Sequence, residues 1–248
     1  MDVVVEKGAA WGVIRIDHPA NMNALSPGVI TGLEEGLLRF AADTAIRVIL
    51  ITGTGPAFSA GADIRYMSAA SPDECRRYLE HAQNVLQNIE SMRVPVIAIV
   101  NGVCTGGGCT LAGACDFTLA ADSATFGEPE AQIGLPGGFG NIPRLLRRVG
   151  AACAAELLLT GKIIDADTAQ RIGLVSRVVP AAALWDEAEQ LAQQVAANSP
   201  TALAEIKRLL QSGNVAGAAE IDAYMTCLQD GEGREGMRAF LEKRQPQW

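Results

Sequence analysis

The sequence predicts an α/β fold in which a core with parallel strands is followed by a helical C-terminal region. Three observations predict it. β-branched apolar runs alternate with capped helical segments through the first half. Two glycine-rich segments directly follow predicted core strands. From Leu184 onward the pattern is amphipathic helix almost throughout.

The elements follow in order. Trp11 to Ile16 (WGVIRI) reads as a strand and HPANMNAL as a polar loop. Ser26-Pro27 supplies an N-cap with proline at the first helical position, which predicts a helix to about Ala42. Ile46 to Ile51 (IRVILI) is a β-branched run that ends in the turn residues Gly53-Thr54-Gly55-Pro56. Ser71-Pro72-Asp73-Glu74 is a capping box and predicts a helix to about Met92. Val96 to Val100 is the next strand, a glycine run and a helix to about Ala114 follow, and Phe117 to Ala120 is a shorter strand. Ile142 to Leu159 reads as helix, Asp165 caps a helix that ends at Gly173, and Leu174 to Val179 is a short strand. A soft boundary near Ala192 separates a core over 1–191 from a helical region over 192–248.

Composition excludes several classes. The 248 residues carry 20 Lys and Arg against 28 Asp and Glu, a net charge of −8, with no basic stripe. That argues against a nucleic-acid surface, which needs clustered cations. A 49% hydrophobic, 19% charged chain is a folded protein rather than a disordered one. The six cysteines, Cys75, Cys104, Cys109, Cys115, Cys153 and Cys227, form no CxxC pair, and with two histidines a metal site is not expected. Reduced thiols and no basic-then-apolar leader point to a cytoplasmic protein. Val94 to Cys115 is uncharged and imitates a membrane span. Its Pro95, Asn101, Gly102 and Gly106-Gly107-Gly108 suit a buried strand, turn and helix better, so no membrane partner is expected.

The sequence holds no GxSxG elbow, phosphate loop, HExxH or strand-linked GxGxxG. The glycines in AFSAGADIRYM (Ala57 to Met67) and NGVCTGGGCT (Asn101 to Thr110) therefore serve another purpose. Backbone N–H groups left bare at a turn or a helix start can bind a developing oxyanion, and two such segments can form one hole.

These residues resemble a family. AFSAGADIRYM, NGVCTGGGCTLAGACDFTLAADSATFGEPEAQIG and LPGGFGNIPRLLRRVG are similar to the crotonase superfamily, also called the enoyl-CoA hydratase/isomerase family. The early HPANMNALS loop, LTGKIIDADTAQRIGLVSRVV and the C-terminal EGMRAFLEKR extend the resemblance across almost the whole chain. It implies a spiral of repeated ββα units and a helical C-terminal region that joins a homotrimer or a dimer of trimers. It implies a CoA thioester substrate, with no cofactor beyond that CoA, whose carbonyl oxygen sits between the backbone N–H groups of Ala62 and Gly107. It further implies that Met22, Ala24, Leu25, Ala60, Asp63, Ile64, Arg65, Thr110 and Lys243 contact substrate or CoA; Arg65 and Lys243 read equally as partners of its phosphates, Lys243 from another subunit, or as solvated surface charges.

The carboxylates depart from the family pattern. Hydratases of the family carry one Glu just after the GGGC segment and a second in an FGxPE segment. The second is Glu130, while Thr110 holds the first position. A threonine hydroxyl can hold a water but is no general base near neutral pH. One Glu beside an oxyanion hole is sufficient to move a proton from Cα to Cγ, so the pattern favours Δ3-to-Δ2 enoyl-CoA isomerase chemistry with Glu130 as the catalytic acid/base. The alternatives are enoyl-CoA hydratase, a related acyl-CoA decarboxylase or lyase, and a non-catalytic trimeric binding protein. Glu128 is read as a solvated or hydrogen-bonding neighbour, His81 and His18 as non-catalytic, Cys109 as a packed small hydrophobe and Asp116 as structural.

Overall fold

The computed structural model describes residues 2–212 and 217–248. Its strands are β1 (Val3–Lys7), β2 (Trp11–Ile16), β3 (Val48–Gly53), β4 (Ala57–Ser59), β5 (Val96–Val100), β6 (Val103–Thr105), β7 (Phe117–Ala121), β8 (Thr125–Gly127), β9 (Ile163–Asp165) and β10 (Arg177–Val179). Its helices are α1 (Pro27–Ala41), α2 (Ile64–Ala69), α3 (Pro72–Ser91), α4 (Gly107–Ala114), α5 (Asn141–Thr160), α6 (Ala166–Arg171), α7 (Leu184–Ala196), α8 (Pro200–Ser212), α9 (Ala218–Gln229) and α10 (Glu232–Glu242).

The strands form a six-stranded sheet in the order β1-β2-β3-β5-β7-β10 and a four-stranded sheet in the order β4-β6-β8-β9. β2, β3, β5, β7 and β10 run parallel, as do β4, β6 and β8, while β1 and β9 are antiparallel at the edges. The chain passes from the large sheet to the small one three times, at β3–β4, β5–β6 and β7–β8, and returns each time through helix. The result is a spiral of ββα turns. Every residue of β3 and β5 is buried, as expected of apolar runs in a parallel sheet covered on both faces.

Local chemistry sets the helix boundaries. Ser26 caps α1 by accepting from Val29 N, and the reciprocal Ser71–Glu74 box opens α3. The helix expected over 142–159 is instead two pieces joined at Gly150 (φ 73°, ψ 170°) within α5. The three-residue strands of the small sheet, and β1, are additions to the sequence reading. Two or three residues cannot display a strand period. The uncharged stretch from Val94 becomes β5, β6 and α4, and no helix among the described residues is long and apolar enough to cross a membrane.

The C-terminal helices are tied to the core. Ala192 lies inside α7 and is fully buried. On α8, the buried Lys207 Nζ donates to the carbonyls of Ile89 (2.9 Å) and Val94 (3.2 Å) and pairs with Asp116 at 2.8 Å. Asp116 in turn accepts from Val96 N, the first amide of β5.

Candidate active site

The site forms where the loop after β2, the segment after β4 and the start of α4 meet. Asn23 organises that loop. It is fully buried with φ 55°, a left-handed conformation that asparagine tolerates. Its Oδ1 accepts from His18 N, and its Nδ2 donates to the carbonyls of Thr54 and Ala57.

The loop then runs beside residues 60–62. Ala60 N donates to Met22 O at 2.9 Å, Leu25 N donates to Gly61 O at 2.7 Å, and Leu25 pairs with Ala62 in a parallel bridge. In this parallel bridge it is Leu25 whose N–H crosses to the other segment, to Gly61, so the N–H of Ala62 is the one left out of the pairing. The Ala62 N–H therefore points away from the loop, toward α4. Gly61 makes this possible, since its φ of 101° is closed to residues with side chains. Tyr78 fastens the arrangement by donating from Oη to Leu25 O (2.6 Å) and accepting from Asp63 N (3.1 Å).

The second amide comes from α4. Gly107 is the first residue of that helix, so its N–H has no partner four residues back. A β-carbon on Gly107 would stand 3.2 Å from Ala62 N and 2.7 Å from the Phe139 ring. The two amides thus lie close together, with the Phe139 ring packed against Gly107. Phe139 is held in turn. Its carbonyl accepts from Arg144 Nη1 at 2.6 Å, and Arg144 makes a buried two-point pair with Glu90 at 3.1 and 2.5 Å.

Glu130 lies in the first turn of the short 3-10 helix Pro129–Ile133. Its Oε1 is 2.8 Å from the point where a β-carbon on Gly106 would stand, so the missing side chain at Gly106 (φ 52°) leaves the seat for this carboxyl. Glu128 is not solvated: it is 3% exposed and accepts from Asn141 Nδ2 at 3.3 Å. The two glutamate carboxyls line the same cavity, close enough to act on one another. Burial pushes the Glu128 carboxyl well above the usual range, and Cys109 and Glu130 beside it push the same way. Burial raises Glu130 as well, but its own backbone and the Glu128 side chain pull it back. Burial thus weighs most heavily against ionisation of Glu128.

Thr110 faces inward one turn along α4, is 2% exposed, and donates its hydroxyl to Gly106 O at 3.2 Å. It lines a cavity of about 10 Å³ together with Glu128, Asn141 and Arg144, close to the lower limit for one water. A larger cavity of about 380 Å³ opens beside both glutamates and is walled by apolar side chains, among them Leu135, Ile142, Leu146 and Leu158.

Of the residues singled out in the sequence, the structure brings Ala62, Gly107 and Glu130 together, with Met22, Ala24, Leu25 and Ala60 in the paired segments beside Ala62. The Asp63 carboxylate caps α2 by accepting from Tyr66 N. Ile64 and Arg65 are exposed on α2, and Lys243 is exposed after α10 with φ 55°. Cys109 packs inside, its thiol bonded to Cys104 O. His81 meets Glu34 at 3.0 Å on the flank of α3. Asn23, Tyr78, Phe139 and Asn141 were not singled out. The only sequence signal for Phe139 was its place among the glycines of PGGFG.

Known proteins resemble this chain over nearly its whole length. A family model described as enoyl-CoA hydratase/isomerase matches residues 6–248. A crotonyl-CoA hydratase from Syntrophomonas wolfei is 39% identical over 98% of this chain and 96% of its own. A short-chain-enoyl-CoA hydratase from Clostridium acetobutylicum is 34% identical over 98% of this chain and 95% of its own. The crystal structure of an enoyl-CoA hydratase from Bacillus anthracis superposes with a TM-score of 0.96 at 31% identity, covering 100% of this chain and 99% of that one.

Proposed function

The chain belongs to the enoyl-CoA hydratase/isomerase family, enzymes acting on CoA thioesters, and on that premise we propose that it adds water to a short-chain 2-enoyl-CoA. The observation that carries this reading is that the relatives above, matched over nearly their full lengths, are named as hydratases of crotonyl-CoA and of short enoyl chains. It reverses the preference for isomerisation drawn from the sequence.

In this reading the thioester oxygen lies between the amides of Ala62 and Gly107. Negative charge grows on that oxygen as water attacks Cβ, and two fixed donors in a site shielded from solvent stabilise it, each contributing about 3 kcal/mol. Glu130 moves the proton, and the apolar cavity beside it receives the acyl chain. Met22, Ala24, Leu25, Ala60, Asp63 and Ile64 border the thioester and adenosine ends, while Arg65 and, from a neighbouring copy, Lys243 meet the CoA phosphates. No electrons change hands, so the chemistry calls for no group beyond the CoA of the substrate. Assembly as a trimer or a dimer of trimers is part of the proposal, supported by the exposed Leu210, Tyr224, Phe240 and Leu241 of the C-terminal helices.

Isomerisation of a 3-enoyl-CoA is the second reading, favoured by Thr110 where two-glutamate members carry their first Glu. Incubation with crotonyl-CoA and with a 3-enoyl-CoA, followed by mass spectrometry, separates the two. Gain of one water by crotonyl-CoA is the expected result. Conversion of the 3-enoyl substrate without any water gain by crotonyl-CoA overturns the hydratase reading.

A further inference from the structure

We propose that Glu128 and Glu130 act as a pair holding one proton between them, with Glu128 supplying the second carboxyl that position 110 lacks. This inference rests on the hydration reading above.

Three observations carry it. Glu128 borders both the apolar cavity it shares with Glu130 and the small cavity it shares with Thr110, so it stands between Glu130 and the space beside position 110. Glu130 Oε2 is buried and is reached by no N–H or hydroxyl of the described residues, while the Glu128 carboxyl lines the same cavity beside it. Two ionised carboxylates side by side would repel each other, whereas one O–H donated between them satisfies that oxygen. The charged and titratable groups packed round Glu128 leave this proton in place. Cys109 is a thiol engaged with Cys104 O, Arg144 is committed to Glu90 and Phe139 O, and Arg148 donates to the carbonyls of Gly113, Cys115 and Asp116. None gives Glu128 an ion pair among the described residues.

A pair with one proton balances hydration. As the water oxygen bonds to Cβ, one O–H bond breaks and its proton goes to the ionised carboxylate. The Cα–Cβ π pair shifts toward the carbonyl, giving the enolate held by Ala62 and Gly107. Cα then takes the proton the pair already held, the enolate collapses, and the pair keeps one proton as at the start. Isomerisation needs a single carboxyl that takes a proton from Cα and returns one at Cγ. Glu128 acts through Glu130 and through the shared proton, so it is a positioning residue.

Glu128→Gln tests this, because the amide can still donate to Glu130 and accept from Asn141. Hydration of crotonyl-CoA is expected to fall by about 100-fold or more, while isomerisation of a 3-enoyl-CoA and binding of butyryl-CoA change little. Infrared spectroscopy of the wild type at neutral pH is expected to show a protonated carboxyl band that vanishes in Glu128→Gln. The alkaline fall in the hydration pH profile is expected to vanish with it. Unaltered hydration, an equal loss of both reactions, or absence of the band in the wild type overturns the proposal. A wild type that shows the band but never hydrates overturns the hydratase reading and the catalytic use of the pair, leaving only the shared proton. Thermal melting of the variant separates these outcomes from misfolding.

Discussion

The Ala62 amide nitrogen faces the first residue of α4, 3.2 Å from where a β-carbon on Gly107 would stand. An oxygen that accepts from both amides must fit into the narrow space beside that point. Each donor comes from a different turn of the spiral, so the spacing is set by the packing of α4 against the segment after β4 and not by either loop alone.

Gly107→Ala is therefore expected to crowd the Ala62 amide with a methyl and to press on the Phe139 ring. Turnover of enoyl-CoA should fall by about 100-fold or more, with a lowered melting temperature. Adding Phe139→Ala should recover the melting temperature without recovering turnover. Recovery of both would show that the gap between the amides is not where the substrate oxygen binds.

Glu130→Gln keeps the shape and removes the ionisable group seated on Gly106. Turnover is expected to drop by about 100- to 10,000-fold with butyryl-CoA binding nearly intact, measured by steady-state kinetics and calorimetry. Full activity in this variant would take Glu130 out of the chemistry.

Thr110→Val removes a hydroxyl whose proton is donated to Gly106 O. Because that bond merely duplicates the helix's own use of the same carbonyl, melting temperature and hydration rate should change little. A large loss of hydration alone would assign the attacking water to Thr110.

Much of this was legible in the sequence where chemistry repeats at short range. Ser26-Pro27 and Ser71 through Glu74 fixed two helix starts, and the apolar runs at Val48–Gly53 and Val96–Val100 marked the parallel core. Gly61 and Gly106 announce bare backbone, and the amides beside them lie close together in space. What stayed hidden depends on contacts distant in sequence. Tyr78 reaches Leu25 across 53 positions, and Lys207 reaches Ile89 across 118. Glu128 was read as solvated or hydrogen-bonded, and only Asn141, 13 positions on, decides between them.

Lys207 and Asp116 form the buried tie that anchors α8, with side chains 5% and 15% exposed. Lys207→Met strands the aspartate and two carbonyls, and a loss of about 3 kcal/mol is expected by urea denaturation. The double variant Lys207→Met, Asp116→Asn should lose clearly less, since the uncompensated charge is gone. Equal losses would show that the carbonyl bonds, not the ion pair, hold the helix.

Glu128 also predicts how stability follows pH. An unfolded glutamate titrates near pH 4.3, whereas burial first, then its neighbours, raises this group in the folded protein. The folded state thus binds the proton more tightly, and the stability this contributes is fully present below about pH 4. It drains away as pH rises toward the folded value, at up to about 1.4 kcal/mol per pH unit. Glu128→Gln cannot lose a proton there, while Glu130 titrates in both proteins. The variant should therefore match the wild type most closely near pH 4.5 and exceed it increasingly from pH 6 to pH 9, as read from denaturation midpoints. Parallel stability curves would mean that Glu128 ionises as freely folded as unfolded, and that its burial beside Glu130 holds no proton.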